Sequence, residues 1–244
     1  MLSPRLIPCL LLKNKGFYKT KKFKKPKYIG DPINTIKIFS EKDVDEICIL
    51  DITENEDIDF DILTELASEA FFPLSYGGKV DSLETAKKLF RIGFEKVIIN
   101  TSFLSNPSLV KDLIKVFGAQ SIVVSLDFKK NIFGKQVLYN KKIKKLKKPQ
   151  FYFDFLKMNA PGEIILTSVD NEGTYNGYNI KIIDDFDLNN LNSNILINGG
   201  ASSFEEMQKI LKHPKIHSCI AGNVFVYKKP HNAVLINYPK RNNL

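Results

Sequence analysis

The chain has no tryptophan and only three cysteines and three histidines in 244 residues. Cys9, Cys48 and Cys219 are odd in number, far apart and each set in an apolar stretch. They read as reduced, buried thiols, and a disulfide framework, a CxxC redox pair and a zinc site are excluded. His213, His217 and His231 have no ligand spacing. The longest apolar stretch near the N-terminus, residues 6–12, is interrupted by Pro8 and falls far short of the roughly 20 residues a membrane helix needs. No apolar region precedes Cys9 as a lipoprotein signal requires, so a cytoplasmic protein without a membrane partner is expected.

What remains is the composition of an ordinary globular protein, 43% hydrophobic and 26% charged, with a net charge of +9. Eight lysines fall in residues 13–27 and six in residues 141–148. Such runs suit nucleic acid, an anionic surface or a small polyanion. Neither run interleaves stacking aromatics in a known module and arginine is scarce, so nucleic acid is not expected. The acidic run Glu54, Glu56, Asp57, Asp59 and Asp61 has alternate spacing. It lacks the glycine and the distal glutamate of a calcium loop, and acids at a helix start are favourable in themselves. No metal and no cofactor are expected.

Short apolar runs alternate with helical stretches, the pattern of βα units on a parallel sheet. Eight strands are expected at residues 5–12, 46–50, 74–76, 96–99, 122–126, 163–167, 195–197 and 217–220. Helix starts are signalled by Asp31-Pro32, by Asp57, by Asp81 and by Asn106-Pro107. Eight alternations in a chain of this length predict an α/β (β/α)8 TIM barrel, with reactive groups just past the strand C-termini.

The chain also repeats itself. Gly77-Gly78 and the helix start after it match Gly199-Gly200 at an offset of 122 residues, and Asn100-Thr101 matches Gly222-Asn223 at the same offset. This predicts one barrel domain over residues 1–244 with an internal half-barrel duplication, the halves being about 1–118 and 119–244. Paired glycines past strands 3 and 7 allow close backbone approach, and the following helix starts favour phosphate. The ligand expected is a phosphorylated or nucleotide-like anionic small molecule with a phosphate at each end. Asp127, at the end of strand 5, falls where Leu11 stands on strand 1. A carboxylate there is a natural general acid or base.

These residues carry a resemblance. Met1-Leu2, Arg5, Cys9-Leu10, Lys13, Gly30-Asp31-Pro32, Leu50-Asp51-Ile52-Thr53, Ile99-Asn100-Thr101, Leu166-Thr167-Ser168, Gly173-Thr174, Gly177-Tyr178 and Gly199-Gly200-Ala201 resemble the cyclase subunit of imidazole glycerol phosphate synthase. In that family a lyase barrel binds a two-phosphate ribonucleotide and receives ammonia from a glutaminase docked at the strand N-terminal face. The resemblance implies catalytic roles for Asp127 and for Lys19, and an ammonia gate made of Arg5, Glu46, Lys96 and Glu163. It implies phosphate contacts from Gly78, Asn100 and Thr101 at one end and from Gly173, Gly200, Gly222 and Asn223 at the other.

The family's strand 1 aspartate is Leu11 here, and a leucine moves no proton. Lys79 stands where the family prefers a third glycine, and Gly222-Asn223 replaces a small residue and a serine. A retained gate with a missing aspartate resembles a paralogous branch of bacterial surface-polysaccharide pathways. There the barrel and its glutaminase form a glutamine amidotransferase complex supplying ammonia to a sugar amidotransferase that makes acetamidino sugars. The tail Asn232-Ala233-Val234-Leu235-Ile236-Asn237-Tyr238-Pro239, shorter than the usual last helix, also looks like that branch. The alternative is an authentic cyclase subunit of histidine biosynthesis.

Overall fold

The computed structural model describes residues 4–228, 231 and 233–239. Its strands and helices in order are β1 (Arg5–Lys13), β2 (Gly16–Lys21), β3 (Lys24–Gly30), α1 (Pro32–Ser40), β4 (Ile47–Asp51), α2 (Phe60–Glu69), β5 (Leu74–Gly77), α3 (Leu83–Ile92), β6 (Lys96–Ile99), α4 (Thr101–Ser105) and α5 (Ser108–Phe117). There follow β7 (Ile122–Lys130), β8 (Gln136–Leu138), α6 (Pro149–Met158), β9 (Glu163–Ser168), α7 (Lys181–Asp184), β10 (Asn194–Asn198), α8 (Phe204–Ile210), β11 (Ser218–Ala221), α9 (Asn223–Val226), β12 (Tyr227–Lys228) and β13 (Ala233–Val234).

The barrel strands are apolar on both faces because both are covered. On β1 the two-residue period sends Leu6, Leu10 and Leu12 outward into the core shared with the helices, and Ile7, Cys9 and Leu11 inward to a second cluster with Cys48, Ile98, Val123, Ile165, Leu196 and Ile220. Parallel pairing runs β11-β10-β9-β7-β6-β5-β4-β1, and β11 pairs back onto β1, which closes a (β/α)8 barrel. All eight expected strands are present, within a few residues of their expected ends. Among the described residues, no helix is long and apolar enough to cross a membrane.

Registers relate the two halves of the ring. Leu11 lies opposite Leu50 and Asp127 opposite Thr167. Leu50 lies opposite Gly77, and Thr167 opposite Asn198. Gly77 therefore corresponds to Asn198 and Gly78 to Gly199, so the glycine offset is 121 residues and not the 122 read from the sequence. Backbone geometry agrees. Gly78 has φ 121° and a Cβ there would stand 2.6 Å from the Asp51 carbonyl oxygen; Gly199 has φ 90° and the same 2.6 Å from that of Ser168. Each glycine lets the chain fold back over the end of the neighbouring strand. Gly78→Ala is expected to cost about 2 kcal/mol, read as a lower urea midpoint at unchanged slope.

Three helix starts move from their expected caps: at α5 the cap position falls on Pro107, not Asn106, with no side-chain hydrogen bond. Asp59, not Asp57, caps α2 by accepting from the Ile62 amide at 3.2 Å, and Ser82, not Asp81, caps α3 through the Thr85 amide. The larger difference is residues 14–30. Outside the eight expected strands, they form the hairpin β2–β3, which extends β1 antiparallel with Leu11 opposite Tyr18 and Lys13 opposite Gly16. Its lysines hide the strand pattern and at the same time discourage pairing with another chain at this edge. After α9 the tail makes the short β12–β13 ladder and ends with Tyr238 buried, its hydroxyl 2.9 Å from the Leu6 carbonyl oxygen and 2.8 Å from Asp45 Oδ2. Met1, Leu2 and Asn232, quoted for the resemblance, lie outside the described residues.

Candidate functional site

At the strand C-terminal face, β7 presents Asp127, and Asn100 directly follows β6. Asn100 Nδ2 donates to Asp127 Oδ2 at 2.9 Å, and the Thr167 hydroxyl on β9 also hydrogen-bonds this carboxylate. Burial raises the Asp127 pKa to about 7, with the two hydrogen bonds pulling the other way. Asn140, which the sequence reading missed, donates to Asn100 Oδ1 and Thr101 Oγ1, both at 3.0 Å. Asp127, Asn100 and Thr101 thus share one network, joined from a loop that carries no motif. Across the mouth on β1 stands Leu11, 8% exposed and packed with the apolar lining.

Next to Gly78, Asp51 Oδ2 accepts from Lys79 Nζ at 2.9 Å and from the Tyr76 hydroxyl at 3.2 Å, and Oδ1 accepts from the Thr53 amide at 2.8 Å. Burial first and the Asp51 charge second push the Tyr76 phenol above its ordinary range. Lys79, at φ 57°, therefore enters this end of the mouth already paired.

The opposite end is built under the hairpin. Lys19 on β2 is buried and its ammonium donates to the Cys9 carbonyl oxygen at 3.0 Å. Glu172, also missed from the sequence, holds the hairpin. Its carboxylate accepts from the Thr20 hydroxyl at 2.9 Å and the Phe23 amide at 3.0 Å, and its carbonyl oxygen accepts from the Lys22 amide at 2.9 Å. Gly173 lies directly under Thr20, and Asn223 Nδ2 donates to the Gly173 carbonyl oxygen at 3.2 Å. Gly200 is tied to the same loop, its carbonyl oxygen accepting from the Gly177 amide at 2.8 Å. The structure so brings Lys19, Gly173, Gly222 and Asn223 together, with Gly200 beside them. The hairpin also reaches the segment that precedes the second lysine-rich stretch, the Phe23 and Tyr139 ring centroids lying 6.5 Å apart.

At the other end of the barrel the four charged side chains named for the gate close a ring of alternating sign. Arg5 bonds Glu46 and Glu163, and Lys96 bonds Glu46 at 2.6 Å and Glu163 at 3.0 Å. Burial opposes the Arg5 charge, but Glu163 and Glu46 outweigh it and raise its pKa. Arg5 Nε and Glu163 Oε2 are buried without a partner of their own. Between ring and mouth the lining is mostly apolar, with Ser75 level with Cys48 and Ser125 level with Ile165, and it includes Cys9 and Cys48, register neighbours whose thiols hydrogen-bond each other. That bond, with help from Lys19 and against burial, lowers the Cys9 pKa, while Cys48 is raised. All three cysteines are free and buried. Among the described residues no cluster of His, Cys, Asp and Glu is arranged to hold a metal.

The family profile described as histidine biosynthesis protein matches residues 5–231. Over their whole lengths the chain is 39% identical to a Pseudomonas aeruginosa protein provisionally named imidazole glycerol phosphate synthase subunit hisF2, covering 100% of this chain and 99% of that one. It is 36% identical to a Vibrio vulnificus protein provisionally named subunit hisF3, covering 98% and 94%. It is 34% identical to imidazole glycerol phosphate synthase subunit HisF of Dictyoglomus thermophilum, covering 92% and 90%. With a profile spanning nearly all of the barrel and relatives aligned end to end, the chain belongs to the histidine biosynthesis protein family, among the imidazole glycerol phosphate synthase HisF subunits.

Proposed function

We propose that this barrel takes up ammonia from a glutaminase docked at the strand N-terminal face and conducts it to the mouth, for acetamidino modification of surface sugars in the cytoplasm. Arg5, Glu46, Lys96 and Glu163 gate the entry, and the apolar lining shields the passage from water. The observation that carries this reading is Leu11. The entrance ring is complete, while of the two corresponding positions at the ends of β1 and β7 only Asp127 is a carboxylate and the other is Leu11, where ring-closing chemistry by the family's route needs two. The names and identities support it as well: relatives with provisional names stand at 36–39% identity, those named HisF without qualification at 29–34%. In this reading Gly78, Asn100 and Thr101 hold one phosphate of an anionic ligand and Gly173, Gly200, Gly222 and Asn223 the other, one site in each half-barrel.

A second reading, an authentic cyclase, draws on Asp127 being poised near pH 7 and on Lys19 being buried at the mouth. The deciding experiment is growth of a histidine auxotroph lacking its own cyclase subunit. We expect no growth on minimal medium when this chain is supplied, and glutamine-dependent ammonia release when the purified chain is mixed with its glutaminase. Growth overturns the preferred reading, as does a glutaminase that neither binds nor is stimulated.

A further inference from the structure

Of the hairpin's lysines, Lys21, Lys22, Lys24, Lys25 and Lys27 are exposed, and Lys19 alone is turned inward, 6% exposed. Its ammonium has three donors and, among the described residues, one acceptor, the Cys9 carbonyl oxygen. Among the described residues it makes no ion pair. The space it occupies is the space a side chain at position 222 would take. A Cβ on Gly222 would stand 1.7 Å from Lys19 Nζ and 2.2 Å from Cε. Gly222 has φ −110° and ψ −65°, a right-handed conformation open to alanine, so glycine is needed here for room and not for backbone freedom.

We infer that Gly222 is a specificity-determining position: having no side chain, it seats the Lys19 ammonium inside the second anion site, where it meets a phosphate-monoester end of the ligand. The inference rests on the reading that an anion occupies this end of the mouth. Glu172 grips the hairpin through Thr20, Lys22 and Phe23, apart from the seat. An added methyl at position 222 therefore expels the lysine tip while the hairpin stays latched. It is a positioning role, exerted on the ligand through Lys19.

The seat is tested without any ligand by reductive methylation with formaldehyde and borohydride, read peptide by peptide. In the unaltered protein Lys19 is expected to react about tenfold more slowly than Lys21 or Lys24. In Gly222→Ala it reacts as they do, while the Lys22 and Phe23 amides keep their hydrogen-exchange protection. Equal Lys19 protection in both proteins overturns the inference. The ligand is tested with inorganic phosphate. Gly222→Ala and Lys19→Met each weaken its binding about tenfold, the worth of one charged hydrogen bond, and the double variant is no weaker than either single one. Additive losses overturn the coupling. Unchanged phosphate affinity with Lys19 released overturns the anion-site reading and leaves the seat standing.

Discussion

Arg5→Ala is expected to destabilise the barrel by about 4 kcal/mol and to lower the melting temperature by roughly 10 °C. The Glu46 and Glu163 side chains are 3% and 4% exposed, and in the native ring each is bonded to both Arg5 and Lys96. Without the guanidinium, two buried carboxylates share one ammonium, and the uncompensated charge has no water to turn to. Thermal unfolding followed by circular dichroism reads the loss, and a melting temperature within 2 °C of the unaltered protein contradicts it. Replacing the whole ring with apolar residues of similar size, Arg5→Met, Glu46→Leu, Lys96→Met and Glu163→Leu together, is expected to restore most of the stability, since well-packed apolar groups often match a buried ion cluster. That variant separates holding the barrel together from controlling entry. It melts near the native temperature, yet its glutamine-driven ammonia transfer no longer differs from supply by free ammonium.

Asp127→Asn is expected to make the protein more stable at pH 8 and to leave it unchanged at pH 3. The carboxyl titrates near 7 in the fold against 3.8 for a free aspartate, so the native state binds this proton more tightly than the unfolded chain. Below about pH 4 both states carry the proton and the fold is undisturbed by it. As pH rises from there the unfolded carboxyl ionises while the native one does not, and stability falls until the native group ionises near 7. The full shift corresponds to roughly 4 kcal/mol, and asparagine, whose single side-chain oxygen can still accept from Asn100 Nδ2 and which does not ionise, removes the loss. Urea unfolding at pH 3, 6 and 8 gives the comparison. Parallel stability curves for the two proteins contradict the raised pKa. The same group fixes the pH dependence of any proton transfer at the mouth, with a single inflection near 7 that the asparagine variant lacks.

The barrel was legible because each strand is buried on both faces and writes itself as a short apolar run between capped helices. Leu11 and Asp127 hold corresponding register positions for the same reason: strand ends repeat even where side chains do not. The hairpin was not legible, since Gly16–Lys21 buries Phe17 and Lys19 on one face and a buried lysine reads as solvent-facing. The one-residue slip in the glycine pairing came from aligning doublets by type, where backbone conformation pairs Gly78 with Gly199. Glu172 and Asn140 left no signal because their partners are 149–152 and 39–40 residues away in the chain. Glu172 adjoins Gly173 and Asn140 adjoins the lysine run at 141–148, but neither neighbour marks the side chain itself.

Tyr238 touches Leu6 across 232 positions of chain, and β1 needs β11 as well as β4 for its neighbours. A nascent polypeptide emerging from the ribosome therefore exposes this stave, Leu6 and Ile7 included, until residues 218–221 and Tyr238 have been made. A ribosome-bound cylinder lacking those late partners leaves one of its staves open to chaperone capture.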